Sequence, residues 1–180
     1  IGPLMVEHRL IERMIRVMAA QVKLIETEGR ADPSDIETVL LFLRDFVDRC
    51  HHGKEENILF RELARKEISS EHRRIMNGLI EDHRLGRRLA EAAAEANARY
   101  RGGESGALAG VVDGLRGLMA LYPEHIRKED HEFFIPAMDY FNPDEKDALL
   151  HAGWTADSLL LRKGYEALVA GLEPGGPARR

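Results

Sequence analysis

Residues 108–136, LAGVVDGLRGLMALYPEHIRKEDHEFFIP, decide the fold. Leu108, Val111, Leu115, Leu118, Tyr122, His125, Glu129, Glu132 and Pro136 recur at steps of three and four, the period of a helix that buries one face. His125 and Glu129 stand in that stripe where apolar residues belong. A buried carboxylate loses its hydration, so it must find a proton, a cation or a metal. Pro123 lacks the amide that would bond the carbonyl four residues earlier and is expected to kink the helix or restart it.

The same period runs through the rest of the chain. Leu4, His8, Ile11, Ile15, Met18, Val22 and Ile25 mark a first helix from about Leu4 to Glu28, stopped by Gly29. Asp32 and Pro33 form a cap and first-turn pair that opens a second helix toward Lys66. Ser69 or Ser70 caps a third, whose stripe Met76, Leu79, His83, Gly86, Ala90 and Ala93 leads to the turn at Arg101-Gly102-Gly103. Asn142, Pro143 and Glu145 read as the capping box of a fifth helix ending near Gly171 and packing outside the other four. Short connections make neighbours antiparallel. The expectation is an all-α chain: an up-down-up-down four-helix bundle with an additional C-terminal fifth helix, one domain over 1–172, and a flexible glycine- and proline-rich tail over 173–180.

Composition narrows the function. The 180 residues are 44% hydrophobic and 32% charged, with no apolar run long enough to span a bilayer. A formal charge of -5 argues against nucleic acid and anionic membrane as partners. Cys50 is the sole cysteine, which removes an internal disulfide framework and fits a reducing, cytoplasmic setting. Eight histidines among so few aromatic residues call for an explanation.

That explanation begins with spacing. His52 and Glu56 lie four apart on the second helix, as do His125 and Glu129 on the fourth, so each pair shares a helical face. In an up-down bundle, side chains that meet must lie equally far from the shared turns. His8 and the His52/Glu56 pair are each about 20 residues from the first turn, and the other corners agree within the uncertainty of helix ends. Four helices thus deliver His8, His52, Glu56, His83, His125 and Glu129 to one layer. Four imidazoles and two carboxylates lack the thiolates of structural zinc and the all-oxygen shell of calcium or magnesium, leaving iron, manganese or zinc. Six side chains exceed what one ion takes while keeping a position open, which favours two ions bridged by Glu56 and Glu129.

The segments LMVEHRLIERM, DRCHHGKEENILF, LIEDHRLGRRL and YPEHIRKEDHEFFIPAM, taken in order, resemble the hemerythrin-like, or HHE cation-binding, family over about Leu4 to Met138. The resemblance implies a four-helix bundle with a non-haem di-iron centre, bridged by carboxylate and oxo groups, that binds, senses or reacts with dioxygen, nitric oxide or peroxide, or senses iron. By that pattern the same six residues, His8, His52, Glu56, His83, His125 and Glu129, are the ligands. Oxygen carriers of this kind place two histidines four apart on the third helix, whereas Leu79 precedes His83 here. One ligand is therefore expected to be missing, which suits redox chemistry or sensing better than reversible carriage. Carriers also place the last carboxylate five after the histidine, which would select Asp130, but Glu129 shares the stripe of His125.

Several residues carry second readings. His51 and Glu55 form a rival pair on the second helix, yet Leu59 and Leu63 continue the face of His52 and Glu56, so His51 is expected at the surface or behind a ligand. Glu12 and Tyr122 stand one turn from His8 and His125 and could hydrogen-bond near the ions; for Tyr122 packing is the simpler role. Cys50 reads as a small buried hydrophobe. His72 lies too far along its helix to reach His83 and should line the bundle end, while His131 and His151 read as solvated or packing residues. Two other functions fit the same residues: a structural or partner-binding bundle whose histidines are satisfied by carboxylates, and a zinc or manganese enzyme activating water.

Overall fold

Gly29 takes up a left-handed φ of 67° at the end of the first helix, the conformation that stops a helix and favours glycine. This helix, α1, spans Gly2–Glu28. Asp32 then accepts a hydrogen bond from the Ser34 amide at 2.8 Å and opens α2, Pro33–Leu41. The structure, a computed structural model, describes residues 1–153 and 156–173. Among the described residues there is no strand, so the all-α expectation holds.

The second rod does not stay an α-helix. Phe42–His52 and Glu55–Phe60 are π-helical, with bonds from residue i to i+5, before a last α turn, α3, at Arg61–Leu63. The Ser69 hydroxyl accepts from the His72 amide at 3.1 Å and caps α4, Ser70–Arg101. The fourth rod begins with a 3-10 turn, continues as α5 over Leu108–Lys128 and as a π-helix over Glu129–Phe133, and closes with α6, Phe134–Ala137. Pro123 does not restart it, for α5 continues through that position.

Asn142 and Glu145 cap each other as expected, amide to side chain, at 3.0 and 2.9 Å. Beyond them lie α7, Pro143–Gly153, and α8, Ala156–Leu172, over the span expected of the fifth helix; residues 154 and 155 between them lie outside the described residues. Of the expected tail, only Glu173 falls within the described residues; its carboxylate accepts from Arg13 at 2.9 and 2.8 Å. No helix among the described residues is long and apolar enough to cross a membrane.

Packing is closest between α4 and α5. A Cβ placed on Gly114 would lie 2.7 Å from Ala93 Cβ and 3.0 Å from the Leu89 carbonyl, so only a residue without a side chain lets these backbones meet. The α8 helix covers α1 and the second rod, with Tyr165 edge-on to Phe42 at 5.3 Å and Val169 buried. Apolar side chains form two separate clusters. One runs from Leu10 to Ile25 on α1 and includes Val47, Ala93, Leu118 and Ile126; the other gathers Leu4, Leu59, Phe60, Leu79, Phe133 and Phe134. Each rod changes cluster at the same depth, and in that gap stand buried His8, His51, His52, Glu55, His83, His125 and Glu129.

Candidate metal centre

Five imidazoles and two carboxylates from four rods converge in the gap. Two sets of donor atoms lie within 4.8 Å of one another: His8, His51, Glu55 and Glu129 in one, His52, Glu55, His83 and His125 in the other. Glu55 belongs to both. Its Oε1 is 3.2 Å from His51 Nε2 and its Oε2 is 3.3 Å from His83 Nε2. Glu129 also faces both, with Oε2 at 3.2 Å from His8 Nε2 and 3.3 Å from His125 Nε2.

Neither carboxylate is satisfied by protein. Both are 0% exposed, and none of their four oxygens has a hydrogen-bond partner. Leaving such a group unpaired is costly, so the donor set fits a bound cation. It also lacks a thiolate and mixes nitrogen with oxygen, which suits iron, manganese or zinc.

Behind each imidazole stands another carboxylate. His8 Nδ1 meets Asp130 at 2.7 Å, His51 Nδ1 meets Glu7 at 3.0 Å and His83 Nδ1 meets Glu56 at 2.7 Å. His52 faces Asp48 at 3.6 Å and His125 faces Asp82 at 3.5 Å, ion-pair distances rather than full hydrogen bonds. An acceptor at Nδ1 keeps the proton there and turns the Nε2 lone pair inward, the arrangement that orients metal-bound histidines. Each outer carboxylate is itself held by a cation: Asp130 by Arg9, Glu7 by Lys54, Asp82 by Lys128, and both Asp48 and Glu56 by Arg87.

Charge follows this layout. Burial opposes a proton on His8, yet the hydrogen bond to Asp130 and the nearby Glu129 carboxylate outweigh it and raise its pKa to about 10. The same opposition, with Glu55 and Glu56 as partners, raises His83 to about 9. Burial and then the neighbouring His83 push His52 down to about 3. Burial alone would raise Glu55, but the imidazoles of His51 and His83 hold it well below the usual carboxylate range. The His83 bond, opposed by burial and reinforced by Arg87, brings Glu56 down to about 2.

Five of the six expected residues, His8, His52, His83, His125 and Glu129, meet in this layer. Glu56 does not join either set: 27% of its side chain is exposed, and its Oε1 accepts from His83 Nδ1 and from Arg87 at 2.7 Å. The carboxylate at the centre from the second rod is Glu55. His51, expected at the surface or behind a ligand, is 1% exposed and turns Nε2 inward. A fifth imidazole thus joins the four expected ones, and it comes from the second rod rather than from the Leu79 position of the third.

The π-helix explains the missed register. Buried residues on this rod come as Phe42-Leu43, Phe46-Val47, His51-His52, Glu55 and Leu59-Phe60, at steps of four and five. That widened period was the available signal. Helical turns of three and four residues instead assign only one of two adjacent histidines to a face. The same widening after Glu129 moves Glu132 outward to Arg127, at 2.6 Å, and buries Phe133 and Phe134 in its place.

Among the weaker expectations, Glu12 lies at the surface paired with Arg9, and His72 bonds Tyr140 at 2.7 Å near the end of α4. His131 and His151 are exposed, and Cys50 is half-buried. Tyr122 is buried and, with His52, Asp48, Gly86 and Arg87, lines a cavity of about 390 Å³ that reaches the centre from one side.

Residues 1–135 match the family model of the hemerythrin HHE cation-binding domain, and the chain belongs to that family. Comparisons with curated proteins and with solved structures give no match.

Proposed function

We propose that the chain holds two iron ions bridged by Glu55 and Glu129, with His8 and His51 on one and His52, His83 and His125 on the other. The proposed host is an up-down-up-down bundle within a domain over residues 1–172. One observation carries this reading: five imidazoles, four of them with Nε2 within 3.3 Å of a carboxylate oxygen, gather around two fully buried carboxylates whose oxygens have no hydrogen-bond partner. A self-satisfied structural bundle would leave no such orphans. Imidazole and carboxylate donors without thiolate are consistent with a non-haem iron centre.

Bound iron would supply electrons and open positions for dioxygen, nitric oxide or peroxide. The chain offers five nitrogens and four carboxylate oxygens, fewer than two octahedral shells require, so room for a small exogenous ligand is expected. The protein's part is positional. Outer carboxylates fix each imidazole, and the two apolar clusters on either side keep bulk water from the gap. The cavity at His52 offers the small ligand a path.

Anaerobic titration with iron(II), followed by calorimetry and by metal analysis after desalting, tests the reading. Two ions per chain are expected. Failure to retain iron, or saturation at a single ion, would overturn it, and tighter retention of zinc than of iron would reassign the metal.

A further inference from the structure

The cations behind the outer carboxylates are unequally shared. Arg9, Lys54 and Lys128 each hold the carboxylate of a single imidazole: His8, His51 and His125 respectively. Arg87 holds two. Its Nε donates to Asp48 at 2.6 Å and its Nη2 donates to Glu56 at 2.7 Å, and these carboxylates face His52 and His83. The two imidazoles are stacked, with ring centroids 3.9 Å apart and planes 13° from parallel, and both belong to the same set of donors.

The geometry points to Arg87 as the positioning residue for one ion only, the one that His52, His83 and His125 would share. This inference rests on the two-ion reading above. A guanidinium is planar and presents its donors in a fixed fork, so one side chain sets the spacing of two carboxylates and, through them, the bearing of two rings. No other cation of the centre spans two imidazoles in this way. Arg87 also lines the cavity beside His52, which places it where solvent would enter that half of the centre if it were lost.

The test compares wild type, Arg87→Gln, Arg87→Lys and Arg9→Gln by iron(II) competition against a chelator, with circular dichroism to verify folding. Loss of a supporting partner costs about 10–100-fold in metal affinity. Arg87→Gln is expected to weaken one ion by that factor and spare the other, while Arg9→Gln weakens the opposite ion. Arg87→Lys, which restores the charge without the fork, should fall between wild type and Arg87→Gln. Cobalt(II) in place of iron gives a second readout: Arg87→Lys should change the d–d absorption of one ion alone. If Arg87→Gln does not fold, Arg87→Lys and its cobalt spectrum decide the matter. Two unweakened ions in Arg87→Gln, equal weakening of both, or an unchanged cobalt spectrum in Arg87→Lys would overturn the positioning role and leave the two-ion reading standing. Wild type that binds no ion would overturn both.

Discussion

His8 Nε2 and His51 Nε2 face each other at 3.1 Å between the two apolar clusters, while the Nδ1 of each ring rests on a carboxylate. With both Nδ1 protons engaged, two lone pairs would point at one another unless a cation lies between them. In the metal-free chain, and against burial, the carboxylates of Asp130 and Glu129 hold a proton on His8 and raise its pKa to about 10. This relationship sets what should happen when protons, metals or ligands are changed.

The first consequence separates adjacent glutamates. Glu55→Gln removes a carboxylate shared by both donor sets and should abolish binding of both ions. Glu56→Gln removes only the support behind His83 and should weaken binding by about 10–100-fold while two ions remain. Metal analysis and chelator competition on the two variants check this, and the reverse order would show that Glu56 is the inner ligand.

Chelation should lower the melting temperature. An ion present at 1,000 times its dissociation constant adds about 4 kcal/mol, which is about 8–16 °C in a domain of 150–250 residues. Differential scanning calorimetry with and without chelator measures it. An unchanged transition would mean that the histidine and carboxylate layer is already satisfied.

Metal-free stability should depend on pH in two directions. His8 and His83 titrate near 10 and 9 in the folded chain, against about 6.5 when unfolded. Their contribution is fully present below about pH 6.5 and is lost as pH rises through the folded values. His52 acts oppositely: its folded value of about 3 means that the unfolded chain gains protons first as pH falls below 6.5. Melting of the metal-free protein should therefore fall from pH 7 toward pH 10, and His52 should weaken it in acid. Metal must displace the protons of His8 and His83, so the increment in melting temperature on adding iron(II) under anaerobic conditions should grow between pH 6 and 9. Parallel melts across that range would show a flat increment if the imidazoles are not ligands.

Two glycines of the fold should respond with opposite signs. Gly114→Ala forces a methyl group against Ala93 and the Leu89 carbonyl and should cost about 1–3 kcal/mol. Gly78→Ala lies exposed within α4, meets nothing within 4 Å and should stabilise by about 0.4–1 kcal/mol. Chemical denaturation of both variants with metal removed isolates these effects from ion binding.

How far the sequence could be read is clearest rod by rod. The stripe of α1 and that of α4 place His8 and His83 correctly because both rods are regular α-helices, where steps of three and four keep one face. The caps at Asp32, Ser69 and Asn142 and the stop at Gly29 were legible because each is a local exchange of hydrogen bonds or a local dihedral. The second rod defeated the same arithmetic. Its wider turns bring His51 and His52 inward together and exchange Glu56 for Glu55, and on the fourth rod Pro123, expected to kink the helix or restart it, lies inside a continuous α5. Asp130 shows a similar limit: it lies beside the centre, yet its role behind His8 depends on a contact 122 residues away in the chain.

Crystals of the iron-loaded protein, measured at and below the iron absorption edge, test the central claim most directly. Two anomalous peaks are expected between Glu55 and Glu129, about 3.5–4 Å apart, one beside His8 and His51 and the other beside His52, His83 and His125. A single peak, peaks elsewhere, or an iron-replete crystal with none at this layer would contradict the two-ion centre.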